Sequence, residues 1–124
     1  MQAEELNTKT VLQKLQHFRL NAIITAGLNL QNMEKSYKVC VRIGEYEMTT
    51  NEATCNNGFA MWSIEKSLVA SFYENQDIPD IFVYLVDHHD KKICFARFPA
   101  ILGQVLEDKW IELKPDLSVI QMKS

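Results

Sequence analysis

The sequence predicts an all-β fold, an antiparallel β-sandwich of seven to eight strands. Short segments rich in β-branched, aromatic and aliphatic residues follow one another at intervals of about ten residues. Several of these segments alternate between apolar and polar positions, which is typical of strands with one buried face. Turn signals such as Asn57-Gly58 separate them. The 124 residues are enough for one domain with a core that needs neither disulfides nor a structural metal.

The segments can be placed along the chain. Residues 1–16 are polar with a few apolar residues at helical spacing, which predicts a short helical N-terminal lead-in. The domain spans residues 17–114, and residues 115–124 form a C-terminal tail. Residues 100–106 have the composition of a short helical turn. Strands are predicted at 18–25, 37–43, 46–50, 59–72, 81–86, 93–98 and 109–113, with loops at 51–58 and 73–79.

One of these strands is ambiguous, and one pair stands out. Residues 59–72 fit either strands or a short helix, and strands are favoured because the surrounding segments are β. Residues 81–86 are almost entirely apolar, which predicts a strand buried on both faces or nearly so. The polar residues 87–92 form a turn that joins this strand to residues 93–98. Such a hairpin suits the centre of a sandwich.

The composition narrows the class of partner and the setting. The net charge is −3 and the pI is near 5.6, so we expect no nucleic-acid partner. The three cysteines are odd in number and form no CxxC pair, which fits a reducing, cytoplasmic setting. The N-terminus is polar and acidic, unlike a signal peptide, and no apolar run approaches the ~20 residues that span a bilayer. We therefore expect a cytoplasmic protein, peripheral at a membrane or part of a membrane-anchored protein.

Three stretches resemble strands of C2 domains. Residues 18–30 are similar to a first strand that ends in an Ala-x-x-Leu turn. Residues 83–87 resemble the strand that carries the first aspartate of the third calcium loop. Residues 110–113, a tryptophan followed by alternating apolar residues, resemble the closing strand. The resemblance covers residues 17–114 and implies a C2-like β-sandwich.

Two blocks are similar to central segments of the ferlin family of membrane-fusion and repair proteins. The first is residues 39–46, which end in an Ile-Gly-x-Tyr turn. The second combines the Ile-Pro-Asp-Ile run at 78–81 with Phe-Ala-Arg-Phe-Pro at 95–99. In those ferlin segments a helical insertion separates the two blocks, whereas here residues 47–77 are too few for a helical bundle. The departure leaves a ferlin piece, a relative and an independent C2 protein all open.

The resemblance implies a non-catalytic module for docking in membrane trafficking, fusion or repair. The expected partners are other domains of a larger protein or a separate protein, with anionic phospholipid as the alternative. Lys38 and Arg42 project from the same face of one strand and, with Lys35, would form a basic stripe. Met33 and Phe59 are candidate loop-tip contacts. His88 and His89, at the hairpin turn, complete the candidate contact residues.

A calcium site is the first alternative, because many C2 domains bind this ion. Calcium takes six to eight oxygen ligands, which requires several converging carboxylates. Here Asp87 matches the first aspartate of the third loop, but His89 occupies the next expected position. Glu34 and Asp90 are the other acids within reach, and two lysines follow them. The set Glu34, Asp87 and Asp90 is a degenerate calcium site, so we expect calcium-independent docking without a cofactor. Calcium-dependent phospholipid binding is the runner-up.

A small metal- or thiol-dependent enzyme is the second alternative. His88, His89 and Cys94 would be its reactive groups. Adjacent histidines in a strand or tight turn tend to point apart, so one ion rarely takes both. Zinc sites use four ligands at characteristic spacings that this sequence does not match. The sequence also lacks a nucleophile elbow, a Gly-rich loop and HExxH, so we expect no catalysis.

Overall fold

The computed structural model describes residues 14–28, 30, 35–101, 103 and 111–115. These residues form eight strands and no helix, so the predicted all-β fold is confirmed. The strands are β1 (Leu15–Gly27), β2 (Ser36–Ile43), β3 (Tyr46–Thr49), β4 (Ala53–Thr54), β5 (Ala60–Tyr73), β6 (Ile81–Val86), β7 (Lys92–Phe98) and β8 (Lys114–Pro115). All pairings between them are antiparallel.

The larger sheet has the strand order β3-β2-β6-β7-β8. β4 pairs with the start of β2, on the edge that β3 occupies further along. The predicted hairpin is confirmed as β6 and β7, and it lies in the middle of this sheet. Tight turns connect several neighbours. Gly44 adopts a φ of 59° in the β2–β3 turn, a conformation that glycine adopts without steric cost.

The smaller sheet consists of β1 and β5, two long strands in register from Leu15 opposite Tyr73 to Gly27 opposite Ala60. The register shifts between Ile24 and Ala26, where β5 carries one extra residue. Ser63, at this bulge, has a φ of 46°. The ambiguous segment 59–72 is therefore a strand, as predicted.

The two sheets pack face to face around one core. Alternate residues of β2 and β6 point inward, and they meet the inward residues of β1 and β5. Trp62 is buried on the inner side of β5, and its Nε1 donates a hydrogen bond to the carbonyl oxygen of Tyr37 on β2, at 3.1 Å. Lys66 also joins the sheets, because its Nζ donates to the carbonyl oxygen of Thr49 at 2.6 Å. These contacts close one side of the sandwich.

The opposite side of the sandwich is open. β5 lies beside β3 and β4, so β1 is the strand of the smaller sheet that lies toward β7 and β8. Because the larger sheet is wider, the inner surfaces of β6 and β7 extend past β1. An apolar cleft of about 1860 Å³ lies between the sheets here.

Several predicted boundaries are wrong. β1 begins at Leu15, inside the predicted helical lead-in, whose residues 1–13 lie outside the described residues. The predicted loop 51–58 contains β4, whose two residues are too few to show alternation. Residues 111–113 are not in a strand, and pairing with β7 starts only at Lys114. Most of the predicted helical turn at 100–106 and residues 109–110 lie outside the described residues.

Candidate functional site

Three aromatic side chains lie together on the outer face of the larger sheet. Phe82 and Tyr84 are two positions apart on β6, and Phe95 is the cross-strand partner of Tyr84 on β7. The rings of Phe82 and Tyr84 are nearly parallel, with centroids 5.8 Å apart. Phe95 lies 6.2 Å from the first ring and 6.5 Å from the second. All three residues are half-buried, so part of this cluster faces solvent.

Two cations lie over these rings. The Nζ atom of Lys92 is 4.8 Å from the centroid of Tyr84, and the guanidinium of Arg97 is 5.5 Å from that of Phe82. Both distances fall within the range of cation–π attraction. We call the set Phe82, Tyr84, Phe95, Lys92 and Arg97 the aromatic face.

Ion pairs surround the aromatic face. Lys92 lies 4.0 Å from Glu47, and Arg97 Nε lies 2.6 Å from Asp80. Lys38 Nζ donates to Asp90 at 2.7 Å. This hydrogen bond raises the pKa of the Lys38 ammonium and outweighs the opposing effect of burial. The surface is therefore mixed in charge rather than uniformly basic.

Cys40 lies beside the aromatic face, in register with Tyr84 on β6 and Thr49 on β3. Although it belongs to the outer side of β2, its neighbours cover it and it is buried. Burial raises the pKa of the Cys40 thiol, and the hydrogen bond with Thr49 only partly offsets this. A neutral buried thiol is a poor nucleophile, so Cys40 acts here as a small packing residue.

The predicted contact residues are dispersed. Lys38 and Arg42 do share the outer face of β2, as predicted, and Arg42 Nε donates to the carbonyl oxygen of Gly44 at 2.8 Å. Lys35 is exposed just before β2. Phe59 is half-buried and closes the Asn56–Phe59 turn. Met33 lies outside the described residues.

The hairpin turn is stabilised by the side chain of Asp87. Its Oδ1 accepts hydrogen bonds from the backbone N–H groups of His89, at 2.8 Å, and Lys91, at 3.0 Å. Burial alone would raise the pKa of the Asp87 carboxyl, but these two hydrogen bonds and the neighbouring histidines outweigh it and lower the pKa. Asp87 is therefore a turn-forming residue with one oxygen already engaged.

The other predicted metal ligands do not form a cage around Asp87. Asp90 is held by Lys38, and Glu34 lies outside the described residues. The expectation that the two histidines point apart is wrong, because the ring centroids of His88 and His89 are 3.9 Å apart. Among the described residues, no three His, Cys, Asp or Glu side chains are arranged to hold a metal ion.

The aromatic face was missed in the sequence because its residues were read as doubly buried. Phe82 and Tyr84 are as apolar as the inward residues of β6, and composition alone does not separate the two faces. The available signal was the hairpin register. A turn spanning residues 87–91 places Phe95 opposite Tyr84, on the same side as Lys92 and Arg97.

No protein-family model and no curated protein matches this chain. Within the part of the chain that the structure describes, no helix has both the length and the apolarity required to cross a bilayer. The resemblance to C2 domains and ferlins therefore rests on the sequence motifs alone.

Proposed function

We propose that this protein is a non-catalytic, C2-like docking module that binds a protein partner through the aromatic face. The observation that carries the proposal is the cluster of Phe82, Tyr84 and Phe95, half-buried on the sheet surface with a cation over two of its rings. Aromatic residues and arginine are enriched in protein interfaces and in the few residues that dominate binding energy.

The charges around this face favour a protein over an anionic membrane. Lys38, Lys92 and Arg97 each have an acidic partner within 4.0 Å, so little uncompensated positive charge is left for phosphate headgroups. A membrane surface attracts clusters of unpaired basic residues. A protein partner, in contrast, can match alternating positive and negative groups around an apolar centre.

The cellular setting belongs to the same proposal and comes from the sequence resemblance. C2-like and ferlin-like motifs support a role at the cytoplasmic side of a membrane, in trafficking, fusion or repair. The partner would then be another domain of a larger protein or a separate protein of that machinery.

The experiment compares proteins captured by the full chain with those captured by Tyr84→Ala. Tyr84 touches both phenylalanines and the ammonium of Lys92, so its truncation removes the centre of the face. We expect a specific partner to be lost by at least about tenfold, the effect of a strong interface residue. The matched control is Val69→Ala, a truncation at a residue 52% exposed on the smaller sheet. Equal capture by Tyr84→Ala and the unmodified chain would contradict the proposal.

Calcium-dependent phospholipid binding remains the alternative, and one titration separates it from the proposal. A ligand that binds the native state raises its melting temperature. Because Asp87 and Asp90 are engaged in the turn and with Lys38, we expect no rise at sub-millimolar calcium. A rise of several degrees, together with calcium-dependent sedimentation with phosphatidylserine vesicles, would favour the alternative. A stoichiometric transition metal in the purified protein would instead support the metal- or thiol-dependent enzyme.

A further inference from the structure

We propose that the open side of the sandwich binds an extended segment of a partner polypeptide, which adds as a strand to the free edge of β1. This surface is separate from the aromatic face, so the inference does not depend on the proposed function. Two features of the same place carry it: an unpaired strand edge and an apolar cleft that runs beside that edge.

The first feature is the edge of β1. Its 13 residues pair with β5 on one side, and no described strand pairs with the other side. Natural proteins protect exposed edges with charges, prolines, bulges or short strands. β1 is long, contains no proline and carries Arg19 as its single formal charge, and the bulge in this sheet adds its extra residue to β5. The edge is therefore left competent for pairing.

The second feature is the cleft. Every residue from Phe18 to Leu28 lines it, whether its side chain points inward or outward. Such continuous lining means that the cleft follows the backbone edge of β1, where each residue is accessible. Across the cleft lie half-buried apolar side chains of the larger sheet, including Ile81, Val83 and Ile93. The cleft thus offers backbone groups on one wall and an apolar surface on another.

These two walls specify the occupant. An acyl chain could cover the apolar surface but could not satisfy the N–H and C=O groups of β1. An extended polypeptide does both, because its backbone pairs with the edge while every second side chain enters the cleft. A second copy paired through β1 would bring its own wider sheet into the space of β7 and β8. The occupant is therefore a single strand from another protein, apolar at alternate positions.

Charge refines this description. Arg19 lies on the outward side of β1, next to Asn21 and Ile23, and the latter is 70% exposed. Opposite charges on directly opposed strand residues are favourable. The segment would therefore carry apolar residues facing the cleft and an acidic residue, facing outward, opposite Arg19.

The first test is amide hydrogen exchange in the free protein. In an antiparallel pair, about half of the amides of β1 point away from β5 and donate to no strand there. We expect β1 to contain alternating slow and fast amides, because its free edge is accessible. Uniform protection along the whole strand would mean that the edge is already covered and would overturn the proposal.

The second test uses synthetic peptides on the unmodified full chain. The probe has the length of β1, with valine at alternate positions and threonine or glutamate between them. One control has the same composition in an order that breaks the alternation, and another is N-methylated at alternate amides. We expect the probe to bind and to protect the fast amides of β1, with each control weaker by at least about tenfold. Absence of probe binding, or equal binding of either control, would refute the inference.

A variant locates the site. Ala22 lies on the inner side of β1 and lines the cleft, so Ala22→Trp should fill the space that the peptide needs. Ser67→Trp places the same ring on the outer side of β5, away from the edge. We expect the first variant to lose peptide binding by about tenfold or more and the second to keep it. The reverse pattern would assign the peptide to another surface, and the peptide controls stand even if Ala22→Trp fails to fold.

Discussion

Trp62 is the residue through which the closed side of the sandwich can best be tested. Its side chain is 8% exposed, and its Nε1 donates across the two sheets to the carbonyl oxygen of Tyr37. Its ring also lies against Gly27 of β1, where an added methyl group would lie 3.2 Å from Cζ3 of the indole. One side chain therefore contacts the partner strand in its own sheet and bonds to the opposite sheet.

The replacement Trp62→Phe should destabilise the protein by about 2.5 kcal/mol. Truncation of a buried aromatic residue to alanine costs about 3–5 kcal/mol, and phenylalanine keeps one of the two rings, so lost packing accounts for about 1.5 kcal/mol. Loss of the hydrogen bond to Tyr37 adds about 1 kcal/mol. The free energy of unfolding is measured by urea denaturation, where a fall in the midpoint at constant slope reports a true stability change.

The matched control is Tyr73→Phe. Tyr73 is an aromatic residue on β5 that is 49% exposed, so the change should stay within about 0.5 kcal/mol. A loss of less than about 1 kcal/mol in Trp62→Phe would mean that this indole does not hold the two sheets together, and the reasoning about the closed side would be wrong.

Three further predictions concern the turns and the buried thiol. Gly44→Ala should cost about 1–2 kcal/mol by urea denaturation, because a β-carbon is unfavourable at its φ of 59°. The lowered pKa of Asp87 means that its stabilising effect is complete above its ordinary value of 3.8 and is lost as the pH falls through the lower native value. The unmodified protein should therefore lose more stability than Asp87→Asn between neutral pH and strong acid, and parallel acid-unfolding curves would contradict this. Cys40 should react slowly with an alkylating reagent at pH 8 and rapidly after unfolding, because burial raises its pKa; peptide mapping identifies the site, and fast labelling of the native protein would count against its burial.

Strand positions could be predicted because alternation is a local signal. β2 shows this best, since Tyr37, Val39 and Val41 point into the core and the residues between them point outward. The Asn57-Gly58 turn was equally readable, because both residues adopt positive φ, 53° and 79°, which these two types tolerate. Where the strand contained a one-sided pattern or a turn dictated by backbone sterics, the sequence analysis and the structure agree.

The unequal widths of the two sheets could not be predicted in this way. Pairing of β1 with β5 joins segments that no local pattern connects, and the alternation in each is compatible with many partners. The candidate site was hidden for a related reason. Phe82 and Tyr84 became surface residues only once β6 was placed with its other face on the core, which is a property of the assembled sandwich.

The pairing of β1 with β5 also has a consequence for the order in which the chain folds. His17 and Ser71, hydrogen-bonded across these strands at 2.6 Å, are 54 positions apart in the sequence. Closing such a long loop costs entropy before any contact is gained, whereas β6 and β7 are joined by a short turn. We therefore expect the β6–β7 hairpin to form early and the small sheet late. Until it does, the inner surface of the larger sheet is exposed, so crowded conditions during synthesis would favour aggregation through that surface.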